Sequence, residues 1–85
     1  DGLDLDWMLH VNPRLDRKAM LCVFNPSDSE ITKKVAVPLY YSGLTGEARY
    51  SENGHPAQNV KLDSNQRAFL TLTVPANGFT SVVFK

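Results

Sequence analysis

Apolar and polar residues alternate with a period of two through much of the chain. Leu3, Leu5, Trp7, Leu9 and Val11 interleave with Asp4, Asp6, Met8, His10 and Asn12, the pattern of a strand with one buried face. Trp7 falls in the buried register, so core filling is its simplest role. Asn12-Pro13 ends this strand, and Arg14 to Arg17 make a polar connection. The alternation then stops. Ala19 to Phe24 are apolar without interruption as far as Asn25-Pro26. The Val, Phe and Cys content of this run predicts a strand covered on both faces, the centre around which shorter strands assemble.

Beyond that centre, turn chemistry divides the chain. Asn25-Pro26-Ser27-Asp28-Ser29 fixes one φ and offers side chains that bond their own backbone. Ile31 to Leu39 reads as a strand with Ile31, Lys33, Val35, Val37 and Leu39 on one face, and Pro38 marks an edge or a limit. Tyr40 to Gly46 is a connection. Glu47 to Ser51 and Gln58 to Leu62 flank Asn53-Gly54, the strongest dipeptide signal for a hairpin. Ala68, Leu70, Leu72 and Val74 alternate with Phe69, Thr71 and Thr73, and Phe79 to Phe84 follow a Pro75-Ala76-Asn77-Gly78 turn. No segment shows helical spacing. About seven short strands with frequent turns predict an all-β fold, a small antiparallel two-sheet β-sandwich, with a small closed barrel as the alternative.

Size and charge narrow the functions available. The 85 residues make one domain, 42% hydrophobic and 21% charged, able to fold on packing alone. Nine basic and nine acidic residues cancel. Lys33-Lys34 and the scatter of Arg14, Arg17 and Lys18 do not make the positive face that nucleic acid or an anionic membrane would require. No apolar run is long enough to cross a bilayer. The start at Asp1 rather than Met points to a fragment or a processed form of a longer polypeptide. Cys22, the single cysteine, reads as a small core residue.

Candidate chemistry is sparse. His10 and His55 belong to no nucleophile or carboxylate signature, so no catalytic residue is assigned. Asp4 and Asp6, two apart, point the same way on a strand and with Asp1 could chelate calcium, but the simpler reading is a solvated strand face. Cys22, His10 and His55 lack zinc spacing, and no cofactor is expected. The aromatics are the better lead. Tyr40 and Tyr41, if extended, point to opposite sides of the chain. Met8 and Phe69 interrupt otherwise polar faces. Together Met8, Tyr40, Tyr41 and Phe69 form the candidate set for a protein interface or a glycan contact.

Val23-Phe24-Asn25-Pro26, Val37-Pro38-Leu39-Tyr40-Tyr41-Ser42-Gly43-Leu44-Thr45 and the closing Val74-Pro75-Ala76-Asn77-Gly78-Phe79 to Phe84 resemble the C-terminal β-domain of bacterial glycoside hydrolases. Trp7 to Val11 is similar to the first strand of such domains, and the resemblance spans nearly the whole chain. It implies a non-catalytic accessory sandwich that packs on and stabilises an upstream catalytic (β/α) barrel of the same chain, in a secreted or periplasmic parent. No catalytic residue carries over. The chain is short for such a domain, so loops that would reach an active site are not expected. Two other classes remain: a carbohydrate-binding module with an exposed aromatic platform, and a structural or adhesive sandwich of a surface protein.

Overall fold

The computed structural model describes residues 5–12, 14 and 18–85. Seven strands follow in order: β1 (Asp6–Val11), β2 (Ala19–Phe24), β3 (Ile31–Pro38), β4 (Glu47–Glu52), β5 (Gln58–Lys61), β6 (Arg67–Val74) and β7 (Phe79–Phe84). Every pairing is antiparallel. The strands form a five-stranded sheet in the order β1-β2-β7-β4-β5 and a two-stranded sheet of β3 and β6. The fold is therefore the two-sheet sandwich that the alternation predicts, and among the described residues β1 and β3 do not pair to close it into a barrel. Asp1 to Asp4, Pro13 and Leu15 to Arg17 lie outside the described residues, and with them part of the expected acidic cluster and of the β1–β2 connection.

Burial follows the pleat. In β6, Ala68, Leu70, Leu72 and Val74 are buried and the residues between them exposed, as a strand solvated on one face requires. Opposite them sit Ala19, Leu21 and Val23 of β2, Ala48 of β4, and Val82 and Phe84 of β7. Three buried polar side chains make the joints. Thr80 of β7 donates from Oγ1 to the Thr73 carbonyl of β6 (3.0 Å), and Ser42 donates to the Leu39 carbonyl (2.6 Å). Asn25 Nδ2 donates to the carbonyls of Ser29 (2.7 Å) and Val74 (3.1 Å), while its Oδ1 accepts from the Ser27 N–H and hydroxyl. No buried side-chain donor or acceptor among the described residues lacks a partner.

Turns set the register. Asn53 (φ 52°) and Gly54 (φ 78°) both occupy left-handed backbone, and His55 N–H bonds the Glu52 carbonyl (2.9 Å). That is the two-residue primed turn expected of Asn-Gly. Asn53 also reaches β7, where its Oδ1 accepts from Ser81 N–H (2.9 Å). Between β5 and β6, Asp63 accepts from the backbone N–H groups of Asn65 and Arg67 and from Arg67 Nε, each at 2.8 Å. The Arg67 backbone bond, first among these contacts, holds the Asp63 carboxyl below its ordinary range.

The β6–β7 turn is tight for a different reason. Gly78 N–H bonds the Pro75 carbonyl, and the Gly78 carbonyl in turn accepts from Asn25 N–H. A Cβ at position 78 would lie 2.8 Å from Cγ of the rigid Pro75 ring. Gly78→Ala is expected to destabilise the chain by about 1–3 kcal/mol, the range for an overpacked contact. A thermal melt would show it as a drop of several degrees.

Two expectations need correction. Ala19–Phe24 is a strand, but it is covered on one face only: Met20 and Phe24 are exposed and Cys22 half-buried. It is also not the centre of its sheet, which is β7. Trp7 points inward yet is 54% exposed, because the two-stranded layer is too narrow to cover β1.

Candidate interaction surface

Across β1, β2 and β7 the uncovered face of the larger sheet is largely apolar where a solvated face should be polar, while β4 and β5 carry Glu47, Arg49, Ser51, Asn59 and Lys61 on that side. Strand register brings its residues together. Asp6 pairs with Phe24, which pairs with Phe79; Met8 pairs with Cys22, which pairs with Ser81; His10 pairs with Met20, which pairs with Val83. Residues paired in this way have Cβ atoms about 5 Å apart. Met8, Met20, Cys22, Phe24, Phe79 and Val83 thus form one continuous surface across three strands. Phe79 is 65% and Met8 61% exposed. A shallow depression of about 230 Å³ lies at one end, bounded by Asp6, Trp7, Met8, Cys22, Val23, Phe24 and Phe79.

The four residues singled out from sequence do not meet. Met8 lies on this surface. Phe69 is on the opposite side of the molecule, on the outer face of the two-stranded sheet, with Lys34 Nζ 5.7 Å and the Arg67 guanidinium 5.3 Å from its ring centre. Cations over an aromatic face account for its exposure without a partner. Tyr40 and Tyr41 are not extended. They form a 3₁₀ turn, Tyr40–Ser42, which Ser42 holds from beneath and Gly43 (φ 84°) terminates. Both rings are therefore exposed, edge to face at 5.0 Å, and form a third, separate site.

The remaining candidates also lie apart. His10 is on β1 and His55 beside the β4–β5 turn, on strands that do not neighbour one another. Asp6 is exposed at the rim of the apolar surface, while Asp1 and Asp4 lie outside the described residues. Among the described residues no three His, Cys, Asp or Glu side chains gather as metal ligands. Met20, Phe24, Phe79 and Val83 were not in the set expected from sequence. For Met20 and Phe24 the available signal was the unbroken run Ala19–Phe24, whose even-numbered residues had to face something, while Phe79 and Val83 join them only through the β2–β7 register.

No protein-family model matches this chain, and neither does any curated protein or solved structure.

Proposed function

We propose that this chain is a non-catalytic accessory domain of a glycoside hydrolase, and that the outer face of its five-stranded sheet packs on the catalytic barrel of the same polypeptide. One observation carries the reading: β2 is apolar on both faces, and among the described residues only one of them is covered. Antiparallel sheets with a solvated face keep that face polar, and continuous apolar surface of this kind marks a contact with another body. The resemblance of the Phe-Asn-Pro, Pro-Leu-Tyr-Tyr and closing-hairpin segments to accessory β-domains supplies the kind of neighbour. Covering a large apolar side chain is worth roughly 1 kcal/mol or more, so several of them stabilise a domain pair appreciably.

The test uses Met8→Lys with Phe79→Lys in the full-length polypeptide and in the isolated chain. Both residues point to solvent here, so the isolated chain should keep its stability to within about 1 kcal/mol. The full-length protein should lose several degrees of Tm while its turnover stays within roughly twofold, on the scale expected for a large domain. Cys22, the sole cysteine, reports directly. Its labelling by a thiol reagent should be slow in the full-length protein, and fast in the variant and the isolated chain. Equal labelling in all forms, glycoside cleavage by the isolated chain, or a dimer of the isolated chain that protects Cys22 would each overturn the reading.

A further inference from the structure

Six asparagines are spread along the chain, and the fold treats the amide that follows each of them differently. That amide matters because a backbone nitrogen can close on the side-chain carbon of the asparagine before it, forming a five-membered ring. Asn12 and Asn25 precede proline, whose nitrogen has no proton to give up. Asn59 precedes Val60, a β-branched residue paired with Ala48 in the β4–β5 ladder. Asn65 precedes Gln66, whose N–H bonds the Asp63 carbonyl (3.0 Å). Asn77 precedes Gly78, whose N–H bonds the Pro75 carbonyl (3.0 Å). The Asn77 N–H and carboxamide are held as well, by the Ser27 carbonyl (2.9 Å) and the Asp28 carboxylate (3.2 Å). Asn53-Gly54 differs from all of these. Gly54 is exposed, no atom beyond its chain neighbours lies within 4 Å of where a Cβ would stand, and its N–H has no partner among the described residues.

The Asn53 side chain is also prepared for attack. Its backbone N–H donates to the Ser81 carbonyl (2.8 Å), and its Oδ1 accepts from the Ser81 N–H (2.9 Å). A donor on that oxygen draws charge from Cγ and stabilises the oxyanion that addition to Cγ creates. Nδ2 has no partner among the described residues, so nothing holds it against departure. We propose that Asn53 is the site at which this chain modifies itself: Gly54 N adds to Asn53 Cγ, ammonia leaves, and a succinimide joins the two residues. Besides the chain, only water is needed. Gly54 N gives its proton to water as the N–Cγ bond forms, and Nδ2 takes one up as the Cγ–Nδ2 bond breaks. Water then opens the ring. Breaking the new N–Cγ bond yields aspartate, which keeps an acceptor for the Ser81 N–H. Breaking the original bond between Gly54 N and the Asn53 carbonyl carbon yields isoaspartate, with the main chain rerouted through Cγ. That product adds a methylene to a turn whose two left-handed residues set how β4 meets β5, so it loosens the hairpin. The inference does not depend on the accessory-domain reading.

The test holds the folded chain in mildly alkaline buffer beside a sample unfolded in urea. Peptide mapping by mass spectrometry follows the exchange of amide for acid at each asparagine, and electron-transfer fragmentation separates isoaspartate from aspartate. In the folded chain Asn53 should convert roughly tenfold faster than Asn77, because Gly78 must first give up a hydrogen bond and Gly54 has none to lose. In urea both glycine amides are free, and the rates at the two Asn-Gly sites should converge. The isoaspartate form, isolated by ion exchange, should melt below the Asn53→Asp variant, which carries the same charge on an unaltered main chain. The proposal falls if Asn77 converts as fast as Asn53 in the folded chain, if Asn53 reacts only after unfolding, or if its preference persists in urea. It falls equally if the isoaspartate form melts with Asn53→Asp.

Discussion

Phe84→Ala is expected to cost about 3–5 kcal/mol, enough to leave the chain close to its unfolding midpoint at room temperature. Phe84 is fully buried on β7, the middle strand of the larger sheet. Its ring packs beside Tyr50 (centroids 6.3 Å apart), and register places it between Ala19 and Tyr50. Removing the ring leaves a void between two layers, and the small second sheet has little freedom to collapse into it. Phe79 supplies the control. It lies on the same strand, five residues earlier, but faces outward. Phe79→Ala should cost under about 1 kcal/mol in the isolated chain, since exposed substitutions do little. Urea unfolding followed by far-UV circular dichroism decides it. Similar losses for the two variants would mean that the inward and outward faces of β7 have been assigned wrongly.

That contrast also shows what could be read from residues alone. The alternation in Ala68–Val74 is local information, and it places each side chain on the correct face, whereas Phe79–Phe84 has no apolar–polar alternation and its outward Phe79 is visible only in the sheet. Asn53-Gly54 is equally local, because both positions need left-handed backbone that few other pairs tolerate. Burial is not local. Trp7 lies in the inward register, but whether an inward residue is covered depends on how many strands the facing sheet contains, and no spacing within β1 encodes that. The run Ala19–Phe24 correctly implies two apolar faces. It cannot say whether the second cover belongs to the same fold. Tyr40 and Tyr41 failed as an extended pair because Ser42 and Gly43 curl the chain. A serine able to bond back to residue 39, followed by a glycine, was the available sign. His10, His55 and the acidic residues raised chemistry that the topology does not bring together.

By sequence Asn25 is a turn residue, and in the fold it is also, beside Thr80, one of the ties between the two sheets. Its side chain is fully buried, and Nδ2 links the end of β2 to the Val74 carbonyl at the end of β6. Asn25→Ala should cost roughly 2–3 kcal/mol, because the Val74 carbonyl loses its partner in a dry position while Ser27 and Ser29 can turn to water. Asn25→Asp keeps the acceptor for Ser27 but replaces the donor with a second oxygen facing two carbonyls. Ionised, it is a buried charge without a counterion, and the expected loss at neutral pH is roughly 3–5 kcal/mol. The two variants then separate with pH. The folded environment raises the pKa of the introduced carboxyl above its unfolded value of about 3.9. Its penalty is therefore full above the folded pKa and fades as pH falls towards the unfolded one, where the protonated group can donate again. Measured against wild type at each pH, Asn25→Asp should be the less stable variant near neutrality, and should match or exceed Asn25→Ala at about pH 4. A gap between the two variants that does not change with pH would show that the Asn25 amide is not donating to the Val74 carbonyl.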